Sequence, residues 1–177
     1  RRSSSDRVIL LLDLDCFYAQ AACRRLGFPA ESTALALFQW NSVLAVTYPA
    51  RQLYKIKRGD SWEAVHQKSK GQCYGVHVPI LSVDEQCESL DNPNVSLQDE
   101  YQKLFVLNEE EQVIARKKEL GVRKYSSQGK ASIECFRIAS ATIFDSVRQF
   151  LNSNVPKAIL ERASIDEFFL DVTASIE

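Results

Sequence analysis

The apolar and polar positions of this chain alternate between strand-like runs and helix-like spacing. Val8-Ile9-Leu10-Leu11-Leu12 is an unbroken apolar run leading into Asp13-Leu14-Asp15, which predicts a central strand covered on both faces that delivers acids at its carboxyl end. Phe17 to Leu26 predicts a helix stopped by Gly27 and Pro29. Residues 34–39 and 43–48 predict two strands, joined tightly through Trp40-Asn41-Ser42 as a hairpin. Gly59-Asp60-Ser61 punctuates the chain before a short helix over 62–68, and 75–81 reads as a further strand. Over 131–151 the apolar residues Ile133, Phe136, Ile138, Ile143, Phe144, Val147 and Leu151 recur by threes and fours, as in a long amphipathic helix. Ala158-Ile159-Leu160 then runs into Glu161-Arg162-Ala163-Ser164-Ile165-Asp166-Glu167 and the apolar Phe168-Phe169-Leu170, a strand, turn and strand with acids at the junction. The mixture predicts an α+β fold.

Residues 82–128 differ in character. They are acidic and carry Asn and Pro at first (Asp84, Glu85, Glu88, Asp91, Asn92, Pro93, Asn94), and then predict a charged helix over 109–120. This pattern marks an insertion, partly disordered. No window reaches the ~20 apolar residues of a membrane span. With 177 residues and 45% hydrophobic composition, the chain can bury a core. It opens with Arg1-Arg2-Ser3-Ser4-Ser5 and contains no Met, so it is expected to be a piece of something longer.

The net charge is −1, so no global basic field advertises nucleic acid. Two local patches carry positive charge: Arg51, Lys55, Lys57 and Arg58, then Arg116-Lys117-Lys118 with Arg123-Lys124. Five scattered cysteines without a C-x-x-C pair (Cys16, Cys23, Cys73, Cys87, Cys135) argue against a disulfide framework or a zinc site and read as reduced thiols. His66 and His77 have no ligand-like neighbour at metal spacing and read as structural. Gly71, Gly75 and Gly129 form no phosphate-binding fingerprint.

The chemistry therefore rests on carboxylates. Asp13 with Asp15, and Asp166 with Glu167, each adjoin apolar strand sequence. Two carboxylates ~5 Å apart repel by about 3 kcal/mol at an effective dielectric near 20, so a cluster stays ionised only beside cations. Hard oxygen donors of this kind suit Mg²⁺. The plainer alternative is that these acids cap turns or helices.

The wording of four segments resembles that of the Y family of DNA polymerases, in its eta type. Asp13-Leu14-Asp15-Cys16-Phe17-Tyr18-Ala19-Gln20 resembles the first catalytic motif, and Glu161-Arg162-Ala163-Ser164-Ile165-Asp166-Glu167 the second. Ala45-Val46-Thr47-Tyr48-Pro49-Ala50-Arg51 is similar to the fingers motif, and Gly129-Lys130-Ala131 with Phe136-Arg137-Ile138-Ala139-Ser140 to the palm helix. The resemblance implies a partial palm with a ferredoxin-like sheet from residues 1–16 and 129–177, fingers from 17–80, and an insertion over 81–128.

It further implies that Asp13, Asp166 and Glu167, with the carbonyl of Leu14, hold two Mg²⁺ ions, and that the two acid motifs meet on neighbouring strands. Asp15 becomes a supporting residue. Tyr18 would exclude a ribose 2′-hydroxyl, or else, with Phe17, be a core aromatic. Gln39 would touch the templating base. Tyr48 and Arg51 would grip a deoxynucleoside triphosphate, with Arg58 beyond them, although one extra residue near Tyr54-Lys55-Ile56 makes Lys57 a competitor. The implied partners are primer–template DNA, a deoxynucleoside triphosphate, and a sliding clamp contacted through regions absent here; the implied location is nuclear. Two alternatives stand beside this reading. One is a non-catalytic fragment or pseudoenzyme lacking thumb and little finger. The other is a haloacid-dehalogenase-like phosphatase, which Phe17 and the Ser164-to-Glu167 segment disfavour.

Overall fold

A computed structural model describes residues 7–82, 96–121 and 129–175. The opening Arg1-Arg2-Ser3-Ser4-Ser5, the acidic and Asn/Pro residues 84–94, Cys87, and Arg123-Lys124 of the second basic patch lie outside the described residues. The fold is α+β, and the chain divides into two units: Arg1–Asp15 with Arg137–Glu177, and Cys16–Phe136.

In the first unit β1 (Ile9–Asp13), β7 (Ile159–Arg162) and β8 (Glu167–Asp171) form an antiparallel sheet in the order β1-β8-β7. Along β8, Phe168 and Leu170 are buried while Phe169 is exposed, the alternation of a strand with one covered face. Helix α6 (Glu134–Asn154) covers that face, its Phe144 ring edge-on to Phe168 at 5.3 Å. The apolar run of β1 does not occupy the predicted central, doubly covered place. It is an outer strand, with Ile9, Leu10, Leu11 and Leu12 exposed by 48, 49, 56 and 38%. The physical reason is that an apolar run states an appetite for burial without naming a cover, and among the described residues the helix lies over β8. Helix α6 also starts at Glu134 rather than 131, because Gly129–Ala131 forms strand β6.

The second unit is built on a sheet in the order β3-β2-β4. β2 (Leu35–Gln39) and β3 (Ser42–Val46) form the predicted hairpin, and β4 (Tyr74–His77) joins β2 in parallel. β2 is the doubly covered strand here: Leu35, Ala36, Leu37 and Phe38 are all fully buried, and each large one contributes roughly 1.5–3 kcal/mol. Helix α1 (Phe17–Leu26) packs against β2 and β3. A cluster of Ala36, Phe38, Val43, Val46, Ala50, Ile56 and Val65 forms a core with Trp62 and Tyr54 packed on it. Gly75 is required there, since a Cβ would lie 1.8 Å from the Trp62 ring.

The strand expected over 75–81 is two strands, because Pro79 has no N–H to continue a ladder. β4 stops at His77, and β5 (Ile80–Ser82) pairs with β6 instead. Likewise 47–48 does not extend β3: Thr47 is the residue at which α2 (Tyr48–Tyr54) begins, with Pro49 in its first turn, where the missing N–H is harmless. α3 (Trp62–Ser69) follows, capped by Ser61. Part of the segment expected as an insertion is ordered onto α1. α4 (Leu97–Phe105) and α5 (Glu109–Glu119) both pack against it; Asn108 and Glu111 close a capping box at the start of α5.

Candidate active site

The acids of the first unit are brought together by strand register. β1 runs antiparallel to β8 with Asp13 directly opposite Glu167, so their side chains share one face. Phe168 fills the helix-covered face, and Glu167 and Asp13 therefore point to the other one. Asp13 is exposed and Glu167 half-buried.

Asp166 belongs to the turn between β7 and β8, and that turn is held from three sides. Ser164 Oγ accepts from the backbone N–H of Asp166 at 3.3 Å and of Glu167 at 3.1 Å, and donates to Asp166 Oδ1 at 2.7 Å. Leu14 donates its N–H to the Asp166 carbonyl at 2.8 Å, tying the end of β1 to the turn. From α6, the buried hydroxyl of Ser140 donates to the carbonyl of Ile165. Arg162 pairs with Phe168 in register, and its guanidinium lies 4.7 Å from the Phe144 ring centre. Its charge is thus on the helix side of the sheet, away from the acid face.

Two facing carboxylates and a third in the adjoining turn are hard oxygen donors, the chemistry that Mg²⁺ takes. Among the described residues no three acidic, His or Cys side chains stand in a ligand arrangement. One Asp166 carboxylate oxygen accepts from Ser164.

The remaining sequence-predicted residues lie in the second unit. Tyr18, half-buried on the first turn of α1, meets Phe17 and Phe136 edge-on, with ring centres at 5.5 and 5.1 Å. Gln39 ends β2 opposite Ser42. The hairpin turn beside it is fixed by the buried ring of His77, whose Nε2 accepts from the Trp40 N–H at 2.9 Å while its Nδ1 meets the Val78 carbonyl at 2.7 Å. Accepting at Nε2 leaves Nδ1 as the donor to Val78. Tyr48 and Arg51 are neighbours on α2, the guanidinium 5.5 Å from the ring centre. The buried Thr47 hydroxyl accepts from Leu35 N–H at 3.0 Å and donates to the Thr33 carbonyl at 2.8 Å, locking the start of α2 to β2. Arg58 is exposed on the turn before α3.

Arg116, counted with the second basic patch, has another task. It donates to the carbonyls of Leu26 at 2.6 Å and Gly27 at 3.3 Å and lies over the Phe28 ring, closing the carboxyl end of α1. Among the described residues no disulfide joins Cys16, Cys23, Cys73 or Cys135. Burial pushes the Cys23 and Cys73 thiols up to about 12, so neither is a nucleophile at neutral pH. His77 holds the structural place expected of it, whereas Ser140, Ser164, Asp60 and Lys68 are organisers that the sequence does not single out. Only Ser164 and Asp60 carried a signal, as turn-forming residue types.

The impB/mucB/samB family model matches residues 12–177. The chain is 25% identical over 169 residues to DNA polymerase eta of Saccharomyces cerevisiae, covering 96% of this chain and 22% of that protein. It is 25% identical over 177 residues to N-acetyltransferase eso1 of Schizosaccharomyces pombe, covering 99% of this chain and 16% of that protein. The chain thus spans about a fifth of the length of these curated relatives.

Proposed function

The chain belongs to the impB/mucB/samB family of Y-family polymerase catalytic domains, and from that premise we propose that it is the palm and fingers part of an eta-type translesion DNA polymerase. It adds a deoxynucleotide to a primer 3′-hydroxyl opposite damaged template bases. The observation that carries this reading is the register of β1 on β8, which sets Asp13 against Glu167 although 154 positions separate them (167 − 13). Two like charges directly opposite each other destabilise a sheet, and a bound cation is the natural compensation.

In this reading the palm comprises residues 1–16 and 129–177, the fingers 17–80 and the insertion 81–128. Asp13, Asp166, Glu167 and the Leu14 carbonyl would hold two Mg²⁺ ions. Such a pair supplies Lewis-acid support for the attacking and leaving oxygens of phosphoryl transfer. The chain's own residues set the geometry. Leu14 and Ser164 fix the backbone that carries the acids, and the Ser164 hydroxyl, donating to Asp166 Oδ1, would orient that carboxylate toward a metal. Tyr48, Arg51 and Arg58 offer a hydroxyl and two guanidinium groups to a triphosphate. Tyr18 meets the sugar, and Gln39 the templating base. Primer–template DNA, a sliding clamp reached through other regions and a nuclear setting complete the proposal.

The test is primer extension with Mg²⁺ and deoxynucleotides on undamaged and lesion-bearing templates. Asp13→Ala and Glu167→Ala should each lose more than about 100-fold in rate, as when a charge-stabilising group leaves a reacting centre. Extension by both variants at the unsubstituted rate sinks the polymerase reading. The second reading, a chain that retains these units without extending a primer, draws on the net charge of −1, since phosphate contacts supply most non-specific DNA affinity.

A further inference from the structure

The basic loop between α2 and α3 is anchored by the buried Ile56, while Lys55, Lys57 and Arg58 are exposed, and hydrogen bonds fasten it further. Lys57 to Asp60 forms a turn, closed by the Asp60 N–H on the Lys57 carbonyl at 3.2 Å. Its third residue, Gly59, has φ +88°, the value that a type II turn demands there. The turn is sewn to β3 by two backbone bonds, Gly59 N–H to the Val43 carbonyl and Val43 N–H to the Asp60 carbonyl, both 2.9 Å.

The Asp60 carboxylate completes the fastening. Its Oδ2 accepts from the Lys57 N–H at 2.9 Å and from Lys68 Nζ on α3 at 2.6 Å. Lys68 also reaches the Lys55 carbonyl at 3.5 Å, so one ammonium joins both ends of the loop to the helix. Burial works against this carboxylate's charge, but the bonds from Lys68 and Lys57 prevail and hold it below the usual range.

These bonds separate the two cations that the sequence left in competition. Lys57 has its N–H captured by Asp60 and its charge beside that carboxylate. Arg58, the second residue of the turn, projects from the fastened loop into solvent with no acidic partner among the described residues. A bare carboxylate under Arg58 would repel a phosphate, and Lys68 cancels it.

We propose that Asp60 and Lys68 are positioning residues: their ion pair holds the 55–60 loop in the one conformation that presents Arg58 to the triphosphate of an incoming nucleotide. This rests on the polymerase reading above. A loop without the pair samples other conformations, and if the binding-competent one falls to about a tenth of the population, apparent affinity falls about tenfold.

The experiment titrates a fluorescent deoxynucleoside triphosphate with Mg²⁺ into the full chain and into Arg58→Ala, Asp60→Ala, Lys68→Met, Lys68→Arg and Val76→Ala. Asp60→Ala and Lys68→Met should each weaken binding about tenfold, and the double variant should be no worse than either alone, since one device is removed. Lys68→Arg, which keeps the cation, should retain most of the affinity. Val76→Ala, a core truncation in β4, should melt lower yet bind as the unsubstituted chain does. Should Arg58→Ala weaken binding while Asp60→Ala and Lys68→Met leave it unchanged, or should Val76→Ala weaken it as much as they do, the positioning role is wrong. If Arg58→Ala itself binds normally, the nucleotide-gripping role of the loop fails, and this proposal with it.

Discussion

Removing one of the two facing acids should stabilise the chain in the absence of metal. Asp13 and Glu167 are register partners on antiparallel strands, which puts their Cβ atoms about 5 Å apart. Two unit charges at that distance repel by about 0.8 kcal/mol in bulk water and about 3.3 kcal/mol at an effective dielectric of 20. Asp13 is exposed and Glu167 only half-buried, so the water-like limit governs and the gain is about 1 kcal/mol. For a chain of 177 residues that is a rise of roughly 2–4 °C in Tm. The assay is thermal melting in low salt with a chelator, for Asp13→Asn, Glu167→Gln and the double variant. Each single change removes the same repulsion, so the double variant should gain no more than either single one. Adding Mg²⁺ or Mn²⁺ should then raise the Tm of the unsubstituted chain, by about 1.4 kcal/mol of stability at ten times Kd, and leave the variants behind. A fall in Tm for Asp13→Asn under chelation, or fully additive gains, would refute the argument that these two charges face each other.

Two further outcomes follow from the same unit. Ser140→Ala deletes the buried donor to the Ile165 carbonyl and should cost about 1–3 kcal/mol in denaturant unfolding; a change under about 0.5 kcal/mol, the range of ordinary surface substitutions, contradicts that role. Asp171 is held at about 2, against an ordinary value of 3.8, by hydrogen bonds from Thr173 and the Arg7 guanidinium. A depressed carboxylate binds fewer protons folded than unfolded, so its stabilisation is complete above pH 3.8 and lost as pH falls toward about 2. Asp171→Asn should therefore flatten the acid limb of the Tm profile in that window, and an unchanged limb would argue against the pair.

What the sequence determined by itself was local. The helix Phe17–Leu26 was legible with its stop at Gly27, as were the β2–β3 hairpin, α3 behind Ser61 and α5 behind Asn108. Caps, turn residues and apolar period act between residues a few positions apart, and those terms are written in neighbouring letters. Ser96 caps α4 inside a segment whose composition reads as an insertion, and Val46-Thr47-Tyr48 has strand-forming composition although α2 begins at Tyr48.

Tertiary structure alone decided who covers whom. The most apolar run of the chain became an outer strand, while Leu35 to Phe38 took the buried centre of the other sheet. Burial is a competition among all elements for a limited set of covering faces, and no window of sequence records its outcome. The same holds for the fine placement of the candidate site. Asp13 faces Glu167, Ser140 holds Ile165, His77 holds Trp40 and Lys68 holds Asp60. Except for the last, these pairs join residues at least 25 positions apart, and such contacts form only after the chain has met the entropy of closing the loop between them.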